Sequence, residues 1–111
     1  MREIMNCTPH ALNICGQTFE PSGIIPRVEM MTIDMGEYAG FPAIAQFRVS
    51  VVGLPEPKPG VFLVVSGMAF AAVDEKRIDV IAPDTGETAI RNEKGQIIGV
   101  TRIICKEHKN V

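Results

Sequence analysis

Ala45-Gln46-Phe47-Arg48-Val49-Ser50-Val51 alternates apolar and polar residues at a period of two, placing Ala45, Phe47, Val49 and Val51 on one side and Gln46, Arg48 and Ser50 on the other. Successive side chains of a strand point to opposite faces, so the segment reads as a half-buried strand with a polar outer face. Working outward, Val61 to Val65 is an uninterrupted apolar strand. Arg27 to Met35 is another, with weaker alternation because Met30 and Met31 fall on opposite faces. Ile97 to Cys105 reads as one buried strand by its length and β-branching. Thr88 to Arg91 precedes it across Asn92-Glu93-Lys94-Gly95, a spacing that predicts a C-terminal hairpin.

One stretch prefers a helix. Ser66-Gly67-Met68-Ala69-Phe70-Ala71-Ala72-Val73-Asp74-Glu75 opens with an N-cap residue and continues with good helix formers, enough for about two turns. Breaks fall at Thr8-Pro9, Pro21-Ser22-Gly23, Tyr38-Ala39-Gly40, Pro83 to Gly86 and Lys94-Gly95. Between Gly53 and Gly60, Pro55, Pro57 and Pro59 alternate with other residues. A proline has no N–H to give a ladder, so this is a stiff extended connector between strands. The pattern predicts an α+β fold, mostly β: five to seven strands in a small curled sheet or open barrel with one short helix.

The chain has 111 residues, enough for one domain over 1–111, with 105–111 expected to fray. An apolar fraction of 46% and a mean hydropathy of +0.16 exclude a disordered tail. The net charge of -2 is the wrong sign for coating nucleic acid. With no Trp, one Tyr and five Phe, the core must be mainly aliphatic. A domain this small leaves apolar area for a partner subunit, which predicts a homo-oligomer. No stretch is long and apolar enough to span a membrane, and the first residues lack an apolar leader; a soluble protein of the cytoplasm is expected.

Cys7, Cys15 and Cys105 have no metal-ligand spacing and read as reduced packing residues, so neither a metal nor a cofactor is expected. Asp84-Thr85-Gly86 resembles the triplet of dimeric aspartic proteases. Pro83 before the Asp and the short remaining chain fail that pattern, leaving a polar turn. Ser66, His10 and Asp79 make a triad only on paper, since no serine has a nucleophile-elbow context. His10 is either a structural hydrogen-bonding residue or a ligand contact. Ser66 either caps its helix or holds an anion there. Arg77 and Asp79 share a face of a strand-like segment, and Arg27 and Arg91 stand at strand ends. A guanidinium fork matches phosphate or carboxylate, although surface ion pairs explain such arginines equally well.

Asn6-Cys7-Thr8-Pro9-His10, Pro21-Ser22-Gly23, Arg27-Val28, Gly53-Leu54-Pro55-Glu56-Pro57 with Pro59-Gly60, Val65-Ser66, Arg77-Ile78-Asp79-Val80, and Arg91 with Gly95, Ile98 and Gly99 together resemble a family of small proteins of tailed phages, prophages and actinobacteria. The likeness runs from Asn6 to about Ile103, departing at Cys7, where that family usually has Leu, and around Ala82 to Glu87. The resemblance implies a phage accessory protein working in a host bacterial cytoplasm. By analogy with other small phage proteins, the expected role is non-catalytic sequestration of a small anionic ligand, a nucleotide-derived host immune signal. Thr8, His10, Ser22, Arg27, Ser66, Arg77 and Arg91 are the expected ligand-binding residues, suited to phosphate and ribose but supplying no nucleophile. The alternatives are a nucleotide-degrading enzyme using His10 and a structural or host-protein-binding phage factor.

Overall fold

A computed structural model describes residues 2–108. Among these residues ten strands and one short helix are arranged, the strands in four sheets, and none closes into a barrel. The class is thus α+β and mostly β. The strands number ten rather than five to seven because the expected Ile97 to Cys105 strand divides in two and three short strands near the N-terminus carry little sequence signal.

The centre is a four-stranded sheet ordered β1 (Glu3–Asn6), β6 (Val61–Val64), β7 (Val80–Pro83), β10 (Ile103–Cys105). β1 and β7 both run parallel to β6, while β10 is antiparallel to β7. The inner strands β6 and β7 are almost fully apolar. Helix α1 (Gly67–Ala72) links them, its first turn closed by the Ser66 hydroxyl accepting from the Ala69 N–H at 3.2 Å. The helix stops short of the expected Glu75. Val73 leaves helical geometry, and the Asp74 carboxylate turns back to accept from the Lys76 N–H.

One face of this sheet makes the core: Cys7, Leu63, Val65 and Val80 pack with Ala69 and Val73, and Met5, Val28, Val51 and Leu54 close over them. Val28 and Val51 belong to the base of a long ribbon, β4 (Arg27–Tyr38) paired antiparallel with β5 (Phe41–Val52) through a turn at Ala39 and Gly40, both at positive φ. β2 (Leu12–Ile14) and β3 (Gln17–Phe19) form a second hairpin whose turn residues Cys15 and Gly16 also have positive φ.

The run from Ile97 to Cys105 is two strands, not one. β9 (Ile97–Gly99) pairs with β8 (Ile90–Arg91), as the hairpin reading required, but Val100 then bonds to Asn13 and Cys15, and the chain turns before joining β7 as β10. Arg77 and Asp79 lie on the turn before β7 rather than on a strand. The tail expected to fray from residue 105 is ordered further along. Cys105 completes β10, and Lys106, only 4% exposed, donates to the Phe70 carbonyl at 2.8 Å with its ammonium 4.1 Å from the Phe70 ring centre. A cation satisfies the open end of α1 and ties the chain down. Residues 109–111 lie outside the described residues.

Candidate functional site

The expected site residues do not converge. Thr8 is buried, and both it and His10 belong to a knot around Asn6. The Asn6 side-chain amide donates to the carbonyls of His10 at 2.8 Å and Phe19 at 2.9 Å, while its Oδ1 accepts from the Thr8 N–H at 2.9 Å and faces the Thr8 hydroxyl at 2.6 Å. The Ser22 N–H donates to the Asn6 carbonyl, and the Ser22 hydroxyl accepts from Ile24. The polar residues of the opening motif thus hold three loops together, leaving the His10 side chain exposed. Ser66 caps α1. Arg77 spends its guanidinium on both oxygens of Asp79 and on the Pro55 carbonyl at 2.9 Å. Arg91 is exposed and donates to Gly95 at 2.8 Å. Arg27 is exposed at the start of β4 and enters no ion pair among the described residues. Asp84-Thr85-Gly86 forms the polar turn: Asp84 accepts from the Gly86 N–H and pairs with Arg102.

A different arrangement gathers functional groups. The strand pairing puts Ile4, Phe62, Ile81 and Cys105 on the sheet face opposite α1. There a concave site of about 670 Å³ has a floor of Ile4, Ile14, Phe19, Ile81 and Ile103, with Arg2, Gln17, Thr101 and Arg102 at its margin. A second hollow of about 370 Å³ shares Arg2, Ile4, Ile81 and Ile103 and adds Lys58, Asp79 and His108. Asp79 is the one carboxylate lining either hollow, and it is already engaged by Arg77. Arg77 holds it below the usual carboxylate range. In a chain of net charge -2, this face therefore carries Arg2 and Lys58 around an apolar floor, with Arg102 at its margin paired to Asp84.

The sequence offered little to find these residues. Arg2 precedes the first strand, Arg102 sits in the break between β9 and β10, and Gln17 and Thr101 belong to no motif. What joins them is parallel pairing of β1 with β6 across more than fifty residues of chain, a relation with no local signature. Among the described residues no group of three or more His, Cys, Asp or Glu is placed to hold a metal ion, and no helix is long and apolar enough to cross a membrane. Comparisons with protein-family models, with curated proteins and with solved structures return no match.

Proposed function

We propose that the chain binds a small anionic ligand, of the nucleotide class, on the open face of the central sheet without transforming it. The observation that carries this reading is the pairing of an apolar floor with Arg2 and Arg102 at its edge and Lys58 beside it. Pockets that bind small molecules are concave and largely apolar, with a few polar groups that fix orientation. Guanidiniums supply the fork that phosphate oxygens accept. The phage-like motifs supply the setting: sequestration of a nucleotide-derived host signal in a bacterial cytoplasm.

The test is incubation of purified protein with cyclic and ADP-ribose-type nucleotides, followed by heat release and chromatography of the supernatant. Depletion with intact recovery is the expected result. An altered nucleotide overturns the non-catalytic reading in favour of an enzyme, and no depletion of any member overturns nucleotide binding. Arg2→Ala and Arg102→Ala each lower affinity about tenfold to a hundredfold, the loss typical of one charge-assisted hydrogen bond. Equal affinity in both variants removes the open face as the site.

A further inference from the structure

The two hollows on the open face of the central sheet repeat one arrangement. Each is lined by a half-buried phenylalanine and by a cation of its own: Phe19 and Arg102 in the larger, Phe62 and Lys58 in the smaller. Arg2, Ile4, Ile81 and Ile103 line both and form the seam between them. Arg102, of the larger hollow, stands just before β10, and Cys105, of the smaller, ends that strand. The hollows therefore follow one another along β10, about 10 Å apart by the rise of a strand over three residues.

Both rings sit on fixed backbone. Phe62 lies within β6, opposite Ile4 of β1, and Phe19 ends β3, where its carbonyl accepts from the Asn6 amide at 2.9 Å. Groups carried on paired strands need little ordering when a ligand arrives, which favours affinity. Arg2 and Lys58 enter no ion pair among the described residues, whereas Arg102 is shared with Asp84. Asp79, the carboxylate of the smaller hollow, is offset by Arg77. The seam thus sets Arg2 between two hollows that each hold a ring.

We propose that the ligand of this face is a dinucleotide: two nucleosides joined through phosphate, one base in each hollow and the linking phosphate on Arg2. The inference rests on the reading of this face as a nucleotide site and adds the number of nucleoside units. A base lies against an aromatic side chain through its apolar face, and phosphate oxygens accept from a guanidinium fork. A molecule with two bases flanking one anionic linker matches ring, guanidinium and ring in the order in which the sheet sets them out. A mononucleotide fills one hollow and leaves the other ring and cation unused. At about 670 and 370 Å³, each hollow falls in the size range of small-molecule pockets.

Calorimetry on the purified protein with adenosine monophosphate, the 3′-5′-linked dinucleotide ApA and the pyrophosphate-linked nicotinamide adenine dinucleotide tests the inference. Both dinucleotides carry less negative charge at pH 7 than the monophosphate, so charge alone favours the monophosphate. At least one dinucleotide is expected to bind at least about tenfold tighter, the effect of one more base stacked on an aromatic ring. Which of the two binds tighter distinguishes a phosphodiester from a pyrophosphate linker. Arg102→Ala and Lys58→Ala replace one exposed cation at each hollow, and each weakens the dinucleotide about tenfold. The monophosphate, seated in one hollow, loses affinity in at most one of these variants. Monophosphate binding as tight as that of both dinucleotides overturns the two-hollow inference and leaves nucleotide binding on this face standing, as does a dinucleotide that loses no affinity in Lys58→Ala. Failure of every nucleotide to bind overturns both readings.

Discussion

Arg77 and Asp79, two residues apart on the turn before β7, close on each other through two parallel bonds, Nε to Oδ1 at 2.9 Å and Nη2 to Oδ2 at 3.0 Å. The second guanidinium nitrogen also reaches the Pro55 carbonyl, so the pair fastens the proline-rich connector to the sheet. An arginine so engaged is a brace, and its fork is not open to a ligand. Arg77 lowers the pKa of Asp79 from the ordinary 3.8, chiefly through the hydrogen bond, against an opposing effect of burial.

That depression sets a pH dependence. A carboxylate whose folded value lies below its unfolded value stabilises the fold fully above the unfolded value and loses the contribution as pH falls through the folded one. The denaturation midpoint of Asp79→Asn is expected to lie below that of the parent at pH 7, with the gap narrowing below about pH 4. Urea titrations at several pH values check this, and a gap constant down to pH 3 would contradict it.

The Asn6 knot predicts the costliest polar substitution in the molecule. Asn6→Ala removes two donated and two accepted bonds inside a 2% exposed site and leaves the Phe19 and His10 carbonyls without that partner. At about 1 kcal/mol net for each bond, the loss is roughly 3–4 kcal/mol by chemical denaturation. Ser22→Ala, whose exposed hydroxyl turns toward Ile24 and the Cys7 thiol, costs well under half of that.

Lys106 separates a buried contact from a surface one. Lys106→Ala removes the bond to Phe70 and the cation over its ring and is expected to cost about 1.5–3 kcal/mol. Glu75 is its other partner at 3.3 Å, but with 80% of its side chain in water Glu75→Gln leaves stability nearly unchanged. Thermal unfolding of the two variants distinguishes them. Equal losses would mean that the ion pair, not the helix carbonyl, holds the tail.

The cysteines differ in reach. Cys7 is buried, and burial pushes its thiol up from the ordinary 9.0 against a smaller opposing bond from Ser22. Cys15 and Cys105 are exposed. A colorimetric thiol reagent at pH 8 is expected to count two fast thiols in the folded protein and a third only in denaturant. Cys15 lines the larger hollow and Cys105 the smaller one, so a bulky maleimide on either lowers nucleotide affinity; unchanged affinity in both singly labelled proteins would place the ligand elsewhere.

Asp84 offers a check on the open face from the opposite direction. Arg102 holds the Asp84 carboxyl below its ordinary value, and the carboxylate in turn competes for the guanidinium. Asp84→Asn releases Arg102 and is expected to strengthen anion binding, measured by calorimetry with the same nucleotides; weaker binding would place the ligand elsewhere.

Local pattern was sufficient wherever the cause of a structure is local. The alternation around Phe47, the apolar run at Val61, the Ser66 cap and the Gly-bounded proline connector each follow from backbone preference or side-chain period within a few residues. The short strands β1, β2 and β3 escaped that reading, since three or four residues carry no usable period, and their existence depends on partners: Val61 to Val64 for β1, and a turn at Cys15 for the other two. Thr8, Ser66 and Arg77 were expected to contact an anion by residue type, but hydroxyls and guanidiniums bond to whatever the fold brings near. Here that is Asn6, the Ala69 N–H and Asp79. Composition and side-chain pattern together determined a small, mostly β domain. Only the tertiary structure decided which arginines stay open, because that depends on which strands lie side by side, and it alone left the Phe47 face of the ribbon without a cover.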